Sequence, residues 1–371
     1  MAINTSIYSG KEFSVYIGSD ETVGTKDDSS NGDAMYRLDV EGMTLPSFTP
    51  NQEFEMRSGS GRVAEFGQVF SSTKRVVTEV TLTGRVELQS LPILYENLFS
   101  QAATANNNFK IATGYTPGVF EHGEATGATV FNKTLTLFFL APTAADSITL
   151  PGCVCTSLAL SADMGTASGR YDYTATFQTM YQPVKGTDSV SSANELTTTL
   201  GSTNMYLSEQ TTKDFNIMEY NAAGNDVSSI NPVISSLSLT IESPSQFLGA
   251  QGTNAEPEGF ARAVPEMSIT LGASFKYDTG TDKLTEAFRD TGEDSYIQMI
   301  LNNRAVTSNL ETPGSNLLTL HAEQTFGFII PKAKLTSCEV SSDDVAMVNF
   351  EAKVLDPGSN FILHLATGAT A

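Results

Sequence analysis

Ile148-Thr149-Leu150-Pro151, followed by Cys155-Thr156-Ser157, is the stretch of sequence that decides the fold. The same plan returns later in the chain as Phe328-Ile329-Ile330-Pro331, followed at the same spacing by Leu335-Thr336-Ser337. Apolar and β-branched residues that run into a proline are typical of a β-strand. Because this stretch occurs twice, the sequence predicts one β-rich plan that is present in two copies.

Further matches support the repeat. They are two pairs of strand-like triplets and one proline at the end of the last strand of each copy. They are Val80-Thr81-Leu82 with Ile269-Thr270-Leu271, Leu135-Thr136-Leu137 with Leu318-Thr319-Leu320, and Pro183 with Pro357. Neither copy contains a catalytic constellation. Two diverged copies of this kind indicate a structural building block that makes repeated contacts.

Alternation of apolar and polar residues with a period of two is the dominant pattern in the chain. It runs through four segments, which are Val76–Leu88, Tyr171–Gln182, Met267–Tyr277 and Val348–Val354. Such alternation predicts strands with one buried face and one solvated face. The expected arrangement is antiparallel sheet.

Helical patterns are few, and they are also paired. Leu91–Gln101 carries an apolar stripe at helical spacing, with Pro92 in the first turn where its missing N–H does no harm. Lys283–Asp290 has a similar, shorter stripe. The predicted fold class is therefore mainly β, with two tandem antiparallel β-sandwich or barrel domains, each flanked by a short α-helix.

The length of 371 residues allows two domains, each with its own core. The expected boundaries are residues 1–185 for the first domain and 205–371 for the second. Residues 186–204 between them are rich in Ser and Thr, as linkers often are.

The chain has 42 acidic and 21 basic residues, and hence a formal net charge of −21. Such a surface repels phosphate backbones, because DNA affinity comes mainly from cations that displace counterions. A protein that reads DNA sequence is therefore not expected, whereas one that lets DNA slide past is compatible with this charge. Acidity for solubility alone is the alternative.

No residue pattern predicts an enzyme, a cofactor site or a metal site. The three histidines lie far apart, and three cysteines with a single Cys153-x-Cys155 do not make a zinc pattern. We expect reduced, buried cysteines. The acidic stretch from Asp20 to Asp33 departs from the order of an EF-hand loop, so a solvated hairpin loop is favoured over a Ca²⁺ site. No stretch approaches the ~20 apolar residues that a membrane-spanning helix needs.

Two long Gly-rich loops precede equivalent strands and are predicted to be equivalent. They are Phe48–Phe70, which contains Arg57-Ser58-Gly59-Ser60-Gly61-Arg62, and Ser243–Val264. Loops of more than ~15 residues in a compact domain usually serve as contacts or lids. The first loop is interpreted as a contact arm that carries two arginines.

Taken together, the chain resembles the phage tail tube protein (major tail protein) of long-tailed phages, in its duplicated-domain type. The resemblance rests on the stretch from Leu45 through Arg62, the long strand Val76–Leu88, the helix from Leu91 and the final strand pair, and the same order returns from Ser235 to Pro357. It covers nearly the whole chain and is one of architecture.

The resemblance implies tail-tube-like domains whose inner sheets join into one barrel around the DNA path. A chain with two domains would complete a six-domain ring as a homotrimer, and stacked rings would form the tube that conducts DNA into the host cell. Other implied partners are the tape measure protein and the tail terminator and distal tail proteins. DNA would pass through the lumen without specific binding, and no membrane is involved. The implied location is the virion tail, after assembly in the host cytoplasm.

Two sets of residues are assigned to this function. Those expected to contact neighbouring subunits are Phe48, Phe54, Arg57, Arg62 and Phe66. Those expected to face the lumen are Thr81, Thr83, Arg85, Glu87, Thr270 and Lys276. The alternative function is another duplicated β-sandwich protein of a virion or surface, such as a decoration, baseplate or adhesin subunit. A glycosidase, which would need two carboxylates facing one cleft, comes third.

Overall fold

A computed structural model describes the residues that form the helix, the strands and their connections. They are residues 12–20, 22–24, 35–46, 52–54, 69–71, 77–87, 90–100, 108–112, 114, 119–121, 134–165, 169–186, 195–196, 215–220, 226–230, 233–250, 257–274, 296–302, 325–341, 347–356, 358 and 361–368. This part of the chain is mainly β, as predicted, with one α-helix, α1 (Leu91–Phe99).

The strands up to residue 185 belong to the first half of the chain. They are β1 (Ser14–Ser19), β2 (Met35–Leu38), β3 (Val40–Met43), β4 (Gln52–Phe54), β5 (Val69–Ser71), β6 (Thr78–Arg85), β7 (Asn108–Ala112), β8 (Val119–Glu121), β9 (Leu135–Leu140), β10 (Ile148–Asp163), β11 (Asp172–Thr179) and β12 (Val184–Lys185).

The remaining strands follow residue 186. They are β13 (Glu195–Leu196), β14 (Phe215–Tyr220), β15 (Asp226–Ile230), β16 (Val233–Glu242), β17 (Ser245–Ala250), β18 (Pro257–Arg262), β19 (Glu266–Ser274), β20 (Tyr296–Asn302), β21 (Thr325–Ser341), β22 (Met347–Val354) and β23 (Phe361–Gly368). Among the described strands, all pairings are antiparallel except that of β13 with β2.

Alternation in the sequence explains the strands that form the middle of the sheet. On β6, Val80 and Leu82 are buried while Thr81 and Thr83 are half-buried. On β22, Val348, Phe350, Ala352 and Val354 are buried, and the residues between them are exposed. One face of these strands therefore lies on the core and the other faces solvent, as the period of two predicts.

Helix α1 covers the core where the sequence predicts a helix. Its apolar stripe of Leu91, Leu94, Tyr95, Leu98 and Phe99 is buried, and the helix packs against β10 and β7. The helix ends at Ser100, which takes a left-handed conformation with φ of 49°. Its counterpart predicted at residues 283–290 lies outside the described residues.

Strands pair in the same order in the two halves. The first half reads β2-β1-β9-β10-β11-β6-β3, and the second reads β15-β14-β20-β21-β22-β19-β16. The long strand β10 begins beside β9 and also pairs with β11. In the same way, β21 pairs with β20 and with β22.

Irregularities of the ladders recur at matching positions. The pairing of β10 with β11 shifts between Cys155 and Ser157, and that of β21 with β22 shifts at the equivalent place in the repeat, between Leu335 and Ser337. The pairing of β3 with β6 shifts between Val40 and Gly42, and that of β16 with β19 shifts between Ile234 and Ser236. A β-bulge bends its strand, so matching bulges give the two halves matching bends.

The ladder register corrects one of the sequence matches. Leu137 pairs with Leu150, and Met299 pairs with Ile330, the residue that precedes Pro331 as Leu150 precedes Pro151. Strand β20 is therefore the counterpart of β9, and the match of Leu135-Thr136-Leu137 with residues 318–320 is wrong. The latter residues lie outside the described part of the chain.

The halves are joined through sheet and core. The C-terminal part of β10 pairs with β16 from Ser157↔Glu242 to Asp163↔Ser236. This junction makes one run of eight strands, β3-β6-β11-β10-β16-β19-β22-β21. One apolar cluster includes residues of both halves, among them Phe139, Phe177, Phe328 and Phe350. Strand β13 lies in the segment 186–204 that was predicted to be a linker.

Candidate assembly surfaces

The eight-strand run carries a row of polar residues along one face. Thr81 of β6 lies opposite Thr176, which lies opposite Ser157, and Ser157 lies opposite Glu242 of β16. Directly opposed residues of neighbouring strands share one face of a sheet. Thr81 and Thr83, both predicted to face a lumen, therefore lie on this polar face.

Cations at this face lie beside carboxylates. The Nε of Arg85 is 2.9 Å from Oε1 of Glu41 and 3.9 Å from Oδ2 of Asp39. The Nε of Arg170 is 2.8 Å from Oδ1 of Asp172, which lies opposite Arg85 in the ladder. Exposed ion pairs add little stability, but they neutralise cations that would otherwise attract phosphate.

Glu87 does not lie on this face. Strand β6 ends at Arg85, and Glu87 stands in the turn before α1, where its carbonyl oxygen accepts backbone hydrogen bonds from Ser90 and Leu91. Its side chain is only 2% exposed, so the prediction that it faces a lumen is wrong. The predicted strand ran to Leu88, three residues beyond the end of β6.

The other two predicted lumen residues belong to the second half. The backbone register of β19 places Thr270 opposite Ser238 on one side and Glu351 on the other. Thr270 thus has a ladder position in the same run of strands as Thr81. Lys276 lies outside the described residues.

The predicted contact arm is only partly described. Strands β4 and β5 form a two-stranded antiparallel ribbon near its ends, with Phe54 opposite Val69 and Glu53 opposite Phe70. Phe48, Arg57, Arg62 and Phe66 lie outside the described residues.

A second ribbon occupies the matching place in the other half. Strand β17 follows β16 as β4 follows β3, and β18 precedes β19 as β5 precedes β6. Phe247 lies opposite Phe260, with ring centroids 5.4 Å apart. Strand β18 also pairs with β8 of the first half, and Phe260 packs with Val23 and Val154. The ribbon of the second half therefore lies against the first half.

Arg262, at the end of this ribbon, ties the halves together. Its Nη1 donates to the carbonyl oxygen of Cys155 at 2.8 Å, and its Nη2 donates to Oδ1 of Asn97 on α1 at 3.0 Å. The same Asn97 oxygen accepts the backbone N–H of Cys155 at 2.6 Å. A bulge removes ladder partners from its backbone groups, and these two side chains supply them.

Sequence reasoning missed Arg262 and Asn97 as structural residues. Arg262 stands two positions after Phe260 in a strand, so strand periodicity places both on one face. That face is buried here, with Arg262 only 5% exposed. An arginine that shares a face with a large apolar residue was the available signal.

Asp20 is buried, although its place in an acidic, Gly-containing stretch predicts a solvated loop. Its carboxylate accepts hydrogen bonds from the hydroxyls of Thr134 and Thr136 and from the backbone N–H of Gly152, the last at 3.0 Å. Burial raises the pKa of Asp20 to about 7, against the lowering effect of these hydrogen bonds. Asp20 therefore links β1 to β9 and β10, and the expectation of a solvated loop position is wrong for this residue.

The two neighbouring cysteines are buried thiols, as predicted. Burial raises the pKa of Cys155 to about 12 and that of Cys153 well above its usual range. Cys338 is half-buried. Within the described residues, no three His, Cys, Asp or Glu side chains are grouped so that they could hold a metal ion. The same part of the chain has no helix that is long and apolar enough to cross a membrane.

No protein-family model and no curated protein matches this chain.

Proposed function

We propose that the protein is a structural subunit that assembles with copies of itself into stacked rings, and thereby forms the tail tube of a long-tailed phage. In this proposal the two halves are tandem copies of one tail-tube-like β-sandwich domain. The strand order and bulge positions that recur in both halves support the duplication.

One observation carries the proposal: the pairing of β10 with β16, which joins a four-strand sheet of one half edge to edge with its counterpart in the other. A protein whose repeats extend a sheet in this way is built to continue the same sheet through further copies. Free sheet edges invite pairing, and closure into a ring removes them.

The dimensions are compatible with a DNA conduit. Strands in a sheet lie about 4.8 Å apart, so a trimer that contributes eight strands per chain would form a barrel about 115 Å around. Such a barrel is about 37 Å across before strand tilt widens it further. This is wide enough for a DNA duplex.

The chemistry of the polar face supports the same function. Thr81, Thr83 and Thr176 offer no apolar patch, and Arg85 is neutralised by Glu41. The net charge of −21 adds repulsion of phosphate. A surface with these properties guides DNA without holding it.

Electron microscopy and sedimentation of the purified protein test the proposal. We expect hollow tubes or rings with threefold symmetry. Monomers that stay monomers at high concentration, or closed dimers, would contradict it and favour the decoration, baseplate or adhesin alternative, which does not require a barrel.

A further inference from the structure

The junction between the two halves buries a specific pair of leucines. Leu160 of β10 lies opposite Leu239 of β16, and each is only 2% exposed. Cross-strand neighbours of this kind lie about 5 Å apart and exclude water from each other. The pair therefore marks the register in which one sheet edge meets the other.

Each of these leucines has a counterpart in the other half. Val340 stands five residues after the bulge residue Leu335, as Leu160 stands five residues after Cys155. Leu45 stands three residues after Gly42, as Leu239 stands three residues after Ser236. The counterparts are exposed, Val340 by 48% and Leu45 by 39%.

Val340 lies on β21, and Leu45 follows the last residue of β3 by two positions; β21 and β3 are the two outer strands of the eight-strand run. Strand β3 pairs with β6 on one side, and the end of β21 pairs with β22 on one side. Among the described residues, no strand pairs with the opposite side of either segment. Within the described residues, β3 and the end of β21 do not pair with each other.

We propose that the junction inside the chain is repeated between chains: the β21 edge of one copy pairs antiparallel with the β3 edge of the next copy. Transposing the internal register places Val340 opposite Leu45, Ser341 opposite Thr44, and Glu339 opposite Pro46. The partner is a second copy of this chain. This inference deepens the proposed function and rests on it.

The contact is head-to-tail, because two different edges meet. Such a contact closes into a ring when the rotation per copy permits it. Pro46 has no N–H to donate, so this register has at most one ladder hydrogen bond fewer than the internal junction. The interface pairs one exposed apolar residue from each copy and thereby covers both.

The ribbon of the first half extends the same contact. The β4–β5 ribbon, in which Glu53 lies opposite Phe70, follows β3 as the β17–β18 ribbon follows β16. The β17–β18 ribbon lies against the first half of its own chain, whose β10 pairs with β16. In the proposed contact between copies, the β4–β5 ribbon correspondingly lies against the second half of the neighbouring copy.

Cysteine cross-linking of the full chain tests the register. In a Cys338→Ser background, which removes the nearest native thiol, Leu45→Cys and Val340→Cys are made as two separate proteins. Each is expected to keep the unfolding temperature of the background protein, because both positions are exposed. The two are mixed, allowed to assemble and oxidised, and the products are separated on a non-reducing gel.

We expect covalent dimers in the mixture and at least tenfold fewer in either protein alone. The matched control mixes Val340→Cys with Met43→Cys, which lies on the same face as Leu45 but two residues away, and at least tenfold less dimer is expected. A chain carrying both Leu45→Cys and Val340→Cys should give closed trimers. Equal dimer yield from Leu45→Cys alone, or from the Met43→Cys mixture, would overturn the register.

Microscopy of the same samples separates this inference from the proposed function. Tubes that form without the cross-link would overturn the junction and leave the tube intact. Cross-linked dimers without rings or tubes would support the junction and overturn the tube. Protein that neither cross-links nor assembles would overturn both.

Discussion

At the residue scale, Asp20 makes stability depend on pH in an uncommon direction. Burial raises its pKa from 3.8 in the unfolded chain to about 7 in the fold. Between these values the folded protein keeps a proton that the unfolded chain has lost. The contribution of Asp20 to folding is therefore fully present below about pH 4, and it is lost as the pH rises toward 7.

We predict that Asp20→Asn, which cannot ionise, removes this dependence. The free energy of unfolding of the unchanged protein should fall relative to that of the variant by at most about 1.4 kcal/mol per pH unit between pH 4 and 7. Urea unfolding at several pH values measures it. The control Glu258→Gln removes an exposed carboxyl and should run parallel to the unchanged protein. A parallel line for Asp20→Asn would show that its carboxyl is not the source.

At the element scale, the sequence predicts individual strands better than their mutual matches. Strands β6, β11 and β22 follow from alternation, and α1 follows from its apolar stripe. The sequence match of β9 with residues 318–320 is wrong because the number of residues between equivalent positions of the two halves is not constant. The stretch of chain from Leu137 to Met299 is shorter than the stretch from Leu150 to Ile330. Connections of different length cause this change, and only the ladder register reveals it.

Long-range contacts account for the candidate site residues that the sequence did not indicate. Asp20 and its partner Gly152 are 132 residues apart, and Arg262 and Asn97 are 165 residues apart. Each group is polar and becomes buried because a distant segment supplies its hydrogen-bond partner. Local periodicity carries no information about such partners, whereas it did place Thr81 and Thr83 on one face.

The prediction at this scale concerns the contact arm Phe48–Phe70, which contains strands β4 and β5. We predict that deletion of Arg57 to Arg62 leaves the fold intact, because the described strands end before these residues and begin again after them. Circular dichroism and the unfolding temperature should stay within error of the unchanged protein. Tube formation should be lost, as judged by micrographs and sedimentation, because the ribbon no longer reaches its neighbour correctly.

Deletion of residues 251–254, between β17 and β18, is the matched comparison. The β17–β18 ribbon lies against its own chain through Phe260 and Arg262, so shortening the chain between its strands should lower the unfolding temperature rather than affect assembly alone. Tubes of normal length from the protein without Arg57 to Arg62 would show that the first arm is not an assembly contact.

At the scale of the whole molecule, the two halves act as one continuous sheet with two different faces. The apolar face lies on a core shared by both halves, and the other face carries Thr, Ser and paired charges. Joining further copies edge to edge extends both faces together. The proposed lumen wall is thus a consequence of the same alternation that builds the core, since each strand supplies both surfaces.

The last prediction concerns what this wall does to DNA. Glu351 is exposed and lies opposite Thr270 and Ser337 in the run of eight strands. We predict that Glu351→Lys gives assembled rings that retain a short DNA duplex, because a cation in each subunit releases counterions from the phosphates. Co-sedimentation should detect binding at about 50 mM salt and its loss at about 200 mM salt, while unchanged rings retain no DNA. Glu258→Lys makes the same change of charge on β18, outside this run of strands, and should leave the rings without DNA. Equal retention by the two variants would show that net charge, and not the polar face, keeps DNA from adhering.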